Sequence, residues 1–282
     1  MGRPVSDPRD SSLSAGGLRF HYVTWGPDAA PPVLLLHGLT GHARTWDALA
    51  RALEADFRVI ALDQRGHGDS DRAPDADYRV ATMAGDVERF VEALGLERFT
   101  LVGLSMGGRV GIAYAGGGHA VRIERFCIVD IGPEVHLPGL ERIRQMMAGA
   151  PERIESEEQA VEFVRRANPR MAEAGLRDRV RHGLRPMADG GFEWKYDKAL
   201  REMMRQGGRR DAIDLWEPLR RIAVPALLVR GAESDVLSAD IAKRMIDALP
   251  DGRLVEIPGA GHTVPADQPE AFACAVRAFL GA

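Results

Sequence analysis

Cysteine is scarce in this chain. Only Cys127 and Cys274 occur, far apart and without metal-ligand spacing, so neither a disulfide framework nor a cysteine metal site is implied. Cys127 lies in the apolar run Phe126-Cys127-Ile128-Val129 and reads as a small buried hydrophobe. No stretch of 18 apolar residues exists, and the polar, proline-bearing segment Met1 to Ser14 lacks the apolar core of a secretory signal. Met1-Gly2-Arg3-Pro4-Val5-Ser6 fits the loose myristoylation pattern, but nothing else suggests a membrane, and a flexible tail over residues 1–14 is the expectation. Excess positive charge is also missing. The formal net charge is −4, and the arginines are interleaved with acids, which gives no electrostatic reason to expect nucleic acid. Dinucleotide fingerprints, Walker loops and metal clusters are absent as well. What remains is a 282-residue chain, 45% hydrophobic and 28% charged, with material for a sizeable core.

Short apolar runs alternate with longer helical patterns. Val33-Leu34-Leu35-Leu36 is continuous, as expected of a strand buried on both faces, and Leu18 to Trp25 alternates like an edge strand. Similar runs occur at Arg58 to Leu62, Phe99 to Leu104, Phe126 to Val129, Ala226 to Val229 and Leu254 to Ile257. Helical patterns fill the gaps at His42 to Leu53, Val80 to Leu94, Met106 to Ala115, Ala239 to Leu249 and Pro269 to Leu280. The fold class is therefore α/β, with a mostly parallel sheet, helices on both faces, and ligands expected at the carboxyl edge of the strands. From about Pro133 to Trp216 the rhythm breaks and no strand stands out. Helices at Gly139 to Ala148, Ser156 to Ala167, Arg170 to His182 and Tyr196 to Gln206 predict an inserted helical unit. The expected division is a core of residues 15–132 and 217–282 with a helical cap, or lid, at 133–216. Met146, Met147, Phe163, Met171, Met187 and Trp194 are candidate pocket walls from that cap.

Gly103-Leu104-Ser105-Met106-Gly107 matches G-x-S-x-G. Composition alone yields such a match in roughly one chain in ten, so context must decide. Here the motif follows an apolar strand and opens a helix, the strand-turn-helix setting a nucleophilic serine needs. The blander reading is a glycine-rich loop with a helix-capping serine. The Met106 N–H, at a helix start, is one candidate oxyanion donor. The Leu39 N–H, from the glycine-rich turn His37-Gly38-Leu39-Thr40-Gly41 after the central strand, is the other. His262, in Gly259-Ala260-Gly261-His262, lies just past the last strand and is the candidate base. His42 and His67 follow strands too and remain outside candidates. For the carboxylate that fixes the histidine tautomer, Asp235 is preferred, because it and His262 follow successive strands. Asp130 and Glu233 are its rivals. Asp63-Gln64-Arg65-Gly66-His67-Gly68 reads as a structural loop with buried hydrogen bonds, and His37 as a structural histidine.

Taken together, these motifs closely resemble the α/β-hydrolase superfamily, and the resemblance covers almost everything but the extreme N-terminus. Within it, the serine at the elbow resembles the esterase, enol-lactonase and carbon–carbon hydrolase branch rather than the branches with an aspartate there. The resemblance implies an eight-stranded sheet with a helical cap, and it implies nucleophile, acid and base roles for Ser105, Asp235 and His262. The expected activity is hydrolysis of a carboxylic ester or lactone of a small molecule through an acyl-serine intermediate. Two alternatives stand beside it: hydrolysis of a carbon–carbon bond in a dienoate or diketone, and a non-catalytic binding protein on the same fold. No cofactor and no metal are called for. The expected partner is a small-molecule substrate, with no nucleic acid or membrane, in a cytoplasmic monomer or homodimer.

Overall fold

The structure, a computed structural model, describes residues 7–119, 122–205 and 213–281. Its main sheet has eight strands: β1 (Arg9–Ala15), β2 (Leu18–Trp25), β3 (Pro32–Leu36), β4 (Arg58–Leu62), β5 (Phe99–Leu104), β6 (Ile123–Val129), β9 (Ala226–Gly231) and β10 (Gly252–Ile257). The missing numbers belong to a separate ribbon of β7 (Leu184–Pro186) and β8 (Phe192–Trp194). The order across the main sheet is β1-β2-β4-β3-β5-β6-β9-β10. The first two strands pair antiparallel, β2 lies antiparallel to β4, and every other neighbouring pair is parallel. These features are those of the α/β-hydrolase fold.

Alternation along the strands builds the two faces of the core. Leu34 and Leu36 point to one face with Leu101, Phe126, Ile128 and Leu228. Val33 and Leu35 point to the other with Val102, Cys127, Val129 and Val229. The first face is covered by α2 (Val80–Ala93), α3 (Met106–Tyr114), α8 (Trp216–Arg220) and α9 (Ala239–Ala248). The second is covered by α1 (Asp47–Leu53) and α11 (Pro269–Leu280), the latter following the short turn α10 (Val264–Asp267). From β3 the chain turns to β4 on one side and later enters β5 on the other. That reversal opens a crevice beyond the carboxyl ends of β3 and β5, where doubly wound sheets bind ligands.

Between β6 and α8 lies a helical insertion of α4 (Leu137–Ala148), α5 (Glu157–Ala167), α6 (Glu173–Gly183), the β7–β8 ribbon and α7 (Ala199–Arg205). Ser156 caps α5 by accepting the Gln159 amide. The insertion has an apolar centre of its own, with Ile154, Val161, Leu176, Val180, Trp194 and Leu200 buried. Its polar contacts reach loops at the carboxyl edge of the sheet. The Asp197 amide donates to the Gly66 carbonyl at 2.7 Å, Tyr78 donates to the Asp197 carboxylate, and Arg170 meets Glu233.

Two expectations are corrected here. Residues 1–6 lie outside the described residues, but the rest of the supposed tail is not loose, because Arg9–Ala15 is the edge strand β1 and displaces β2 from that position. Its sequence carries little apolar signal. The backbone ladder to β2 holds it, with Arg9 on Asp28 and Asp10 on His21. The insertion is not wholly helical either, since the short ribbon β7–β8 interrupts it. Gln206, the last residue of one expected helix, lies outside the described residues.

Candidate active site

Ser105 sits between β5 and α3 with φ 53° and ψ −116°, a left-handed conformation that side chains other than glycine seldom adopt. Its neighbours permit this. A β-carbon on Gly103 would come within 2.5 Å of the Gly107 carbonyl oxygen, and one on Gly107 would collide with the Leu36 carbonyl oxygen. The turn is thus pressed against the end of β3. The Ser105 amide donates to the Val129 carbonyl at 3.0 Å, which ties the turn to the end of β6, one residue before Asp130.

From there a hydrogen-bonded chain runs through three side chains. Ser105 Oγ lies 2.8 Å from His262 Nε2, and His262 Nδ1 lies 2.9 Å from Asp130 Oδ2. Asp130 is fully buried, and its other oxygen accepts the Gly231 amide at 2.8 Å. Ser234 Oγ donates to Oδ2 and itself accepts the Val236 and Leu237 amides, so the carboxylate is anchored from β9 as well as β6. The histidine loop is fixed independently: the Gly261 amide donates to Asp267 at 2.8 Å and the Glu233 amide to the Ala260 carbonyl at 2.9 Å. With Nδ1–H donating to a carboxylate, Nε2 is left to accept the serine proton.

The preference for Asp235 is corrected by this geometry. Its carboxylate receives Arg142 of α4 in a two-point pair, at 2.6 and 2.9 Å. The Arg142 hydrogen bonds hold its pKa below the ordinary carboxylate value. The physical reason is chain length. Asp130 is the first residue beyond β6, at the sheet edge, whereas Asp235 lies four residues beyond Gly231, out where the insertion packs. Glu233, the other rival, pairs with Arg170 at 2.6 Å.

Leu39 and Met106 both line the largest cavity that Ser105 opens onto, about 280 Å³ and mainly apolar, with Val80, Ile131, Ile143 and Met203. Met106 begins α3, so its amide has no carbonyl within the helix to bind. A smaller recess of about 60 Å³ joins Ser105 and His262 to Thr40, Asn168 and Arg179. Of the expected pocket walls, Met146 lines that recess with Ser105 and His262, Met147, Phe163 and Trp194 line a further recess beside Arg179, and Met171 packs inside the insertion. Residues of α7 and α4 that the sequence did not single out, such as Leu200, Met203 and Ile143, line the larger cavity at Ser105.

His37, His42 and His67 serve the scaffold. His37 is buried, with Nδ1 donating to the Gly38 carbonyl at 2.8 Å and Nε2 accepting the Gln64 amide at 3.1 Å. His42 Nε2 donates to the Arg179 carbonyl and His67 Nδ1 to the Arg65 carbonyl, whereas the Ser105 hydroxyl is bonded to His262. Arg65 and Asp86 form a buried pair, as the structural reading of that loop predicts. His21, Asp63 and Asp69 bring possible metal-ligating atoms within 4.8 Å of one another. Hydrogen bonds already account for that closeness: His21 to Asp63 at 2.7 Å, and the Asp69 amide to Asp63 at 2.9 Å. Among the described residues no helix is long and apolar enough to cross a membrane.

Comparisons with known proteins agree with this architecture. A model of the alpha/beta hydrolase family matches residues 33–276. The chain is similar to 3-hydroxybutyrate-oligomer hydrolase of Cupriavidus necator, at 31% identity over 96% of each chain. It is also similar to N-formylmaleamate deformylase of Pseudomonas putida, at 30% identity over 95% of each. Among solved structures, E-2-(acetamidomethylene)succinate hydrolase superposes with a TM-score of 0.89 at 26% identity, covering 98% of this chain and 100% of that one. With the family model spanning the sheet from β3 to α11 and full-length relatives that are hydrolases, the chain belongs to the alpha/beta hydrolase family and is a hydrolase.

Proposed function

We propose that the protein hydrolyses a carboxylic ester or lactone of a small molecule through an acyl-serine intermediate. The observation that carries this reading is the unbroken chain Ser105 Oγ, His262, Asp130, at 2.8 and 2.9 Å. His262 takes the Ser105 proton as the hydroxyl attacks the substrate carbonyl, and Asp130 stabilises the imidazolium that forms. The Leu39 and Met106 amides stabilise the oxyanion. The imidazolium then protonates the leaving alcohol, and water, deprotonated by His262, releases the acid and restores Ser105. The helical insertion acts as a lid over the reaction centre, tied down by Arg142 on Asp235 and Arg170 on Glu233.

The experiment is fluorophosphonate labelling together with turnover of p-nitrophenyl butyrate. Wild-type protein is labelled at Ser105 and releases nitrophenol, and Ser105→Ala abolishes labelling and lowers kcat by at least about 10³. Turnover by Ser105→Ala near the wild-type rate would overturn the reading.

A further inference from the structure

The insertion is rich in arginine, and most of its described arginines pair with acids. Arg142 meets Asp235, Arg153 meets Asp189, Arg165 and Arg177 meet Glu173, Arg170 meets Glu233 and Arg181 meets Asp178. Arg201 of α7 meets no acid among the described residues but donates to the Ala150 and Pro151 carbonyls, whereas Arg179 of α6 has neither outlet. Among the described residues no carboxylate reaches it, and of the five donors of a guanidinium only one finds an acceptor, Thr40 Oγ1 at 3.2 Å.

Its surroundings do not compensate the charge. Burial depresses its pKa below the ordinary guanidinium value, with Tyr196 alone among its neighbours acting in the other direction. The neighbouring His42 is buried and held neutral, at about 4, by that burial. The residue is half-buried in accessibility because it lines the recess that also opens onto Ser105 and His262. A guanidinium is never deprotonated at ordinary pH, so a charge in such a place costs stability unless an anion meets it.

The position is also built, not incidental. Thr40, which receives Arg179, has φ 61°, an outlier for a β-branched residue. Meanwhile His42 donates to the Arg179 main-chain carbonyl at 3.1 Å and holds that turn of α6 against the loop after β3. Arg179 is therefore fixed on the turn that bears the Leu39 amide, with its unused donors beside the recess.

Resting on the acyl-serine reading above, we infer that Arg179 anchors a carboxylate of the substrate. The substrates are thus esters or lactones that bear a carboxylate near the scissile carbonyl. The carboxylate occupies the small recess, and the apolar remainder lies in the larger cavity between Met106 and α7. The planar fork of a guanidinium matches a carboxylate at two points, which a lysine ammonium cannot do.

The test compares mono-p-nitrophenyl glutarate with p-nitrophenyl pentanoate, a neutral ester of similar length. Wild type prefers the anionic ester in kcat/KM. Arg179→Gln lowers the anionic-to-neutral ratio by about 30-fold, the loss of a charge-assisted, water-shielded contact, and Arg179→Lys recovers part of it. The ratio is insensitive to partial misfolding, because both substrates report the same folded fraction. Glutarate is then added to each protein and thermal unfolding followed: it raises the Tm of wild type and leaves Arg179→Gln unmoved. A ratio unchanged by Arg179→Gln, or glutarate stabilising both proteins equally, overturns the anchor. If Ser105 resists fluorophosphonate while glutarate still stabilises wild type alone, the acyl-serine reading falls and the anchor stands.

Discussion

The Asp130 carboxylate lies 2.9 Å from Nδ1 of His262, while Asp235, one strand further across the sheet, is held in a two-point pair by Arg142. Both acids stand beyond neighbouring parallel strands, since Val129 of β6 is in register with Val229 of β9. Their environments separate them. Asp130 is fully buried, and its oxygens are occupied by the Gly231 amide, the Ser234 hydroxyl and the imidazole. The Asp235 side chain is 36% exposed and turned toward the insertion.

This division predicts opposite outcomes for two conservative substitutions. Asp130→Asn keeps the shape but removes the charge that stabilises the imidazolium, and can hold the wrong tautomer. The expected loss in kcat is at least about 10². Asp235→Asn removes a partly exposed ion pair, so kcat stays within about fivefold and stability changes by about 1 kcal/mol or less. Steady-state kinetics on one ester decides the matter. A larger loss from Asp235→Asn would return the acid role to that residue.

The ambiguity between the two acids shows what a sequence makes legible. Continuous apolar runs gave away β3, β4 and β5, because strands covered on both faces must be apolar throughout. Ser105 and His262 were legible because glycines on either side of the serine, and two just before the histidine, imply tight turns at strand ends. The acid was harder to place, since chain order puts both aspartates after suitable strands and side-chain direction is not written in spacing. Strand β1, with sequence RDSSLSA, was hidden because its main-chain ladder holds it rather than an apolar face. The β7–β8 ribbon was hidden by its brevity, three residues a side with a proline at one end. Arg179 left no signal at all: one arginine among many is marked only by the acid it lacks.

The buried histidines set an acid limit on stability. Burial holds His37 at about 3 and both His42 and His67 at about 4, against an ordinary value of 6.5. The unfolded chain therefore binds protons below pH 6.5 that the folded chain refuses. Their contribution is complete above that pH and is lost as pH falls toward 4, by about 1.4 kcal/mol per pH unit for each proton. Asp47, pushed up to about 6 by burial, acts in the opposite sense between pH 6 and 4, so the net slope is shallower than three protons. Urea unfolding at pH 7.5, 6.0 and 5.0 should show falling stability, and His67→Gln a flatter dependence than wild type. Stability constant across that range would contradict the assignment of these rings as neutral and buried.

A last prediction concerns Gly107, inside α3, where helix propensity and packing disagree. Its φ is not positive, so by propensity alone alanine would stabilise an exposed helix by about 1 kcal/mol. Packing opposes this: a β-carbon there would collide with the Leu36 carbonyl oxygen and lie 2.8 Å from that of His37, main-chain atoms at the end of β3 that cannot rotate away. The helix must lift, at a net cost of about 2–3 kcal/mol, or about 3–5 °C in Tm for a chain of this size. Lifting it also displaces the Met106 amide from the Leu39 amide, so kcat should fall with little change in KM. Gly95→Ala is the control, because that glycine has φ 69° but no atom within 4 Å of a β-carbon, and its cost is backbone strain of about 1 kcal/mol, without effect on kcat. If Gly107→Ala matched wild type in both Tm and kcat, the close approach of α3 to β3 would not be what positions the serine.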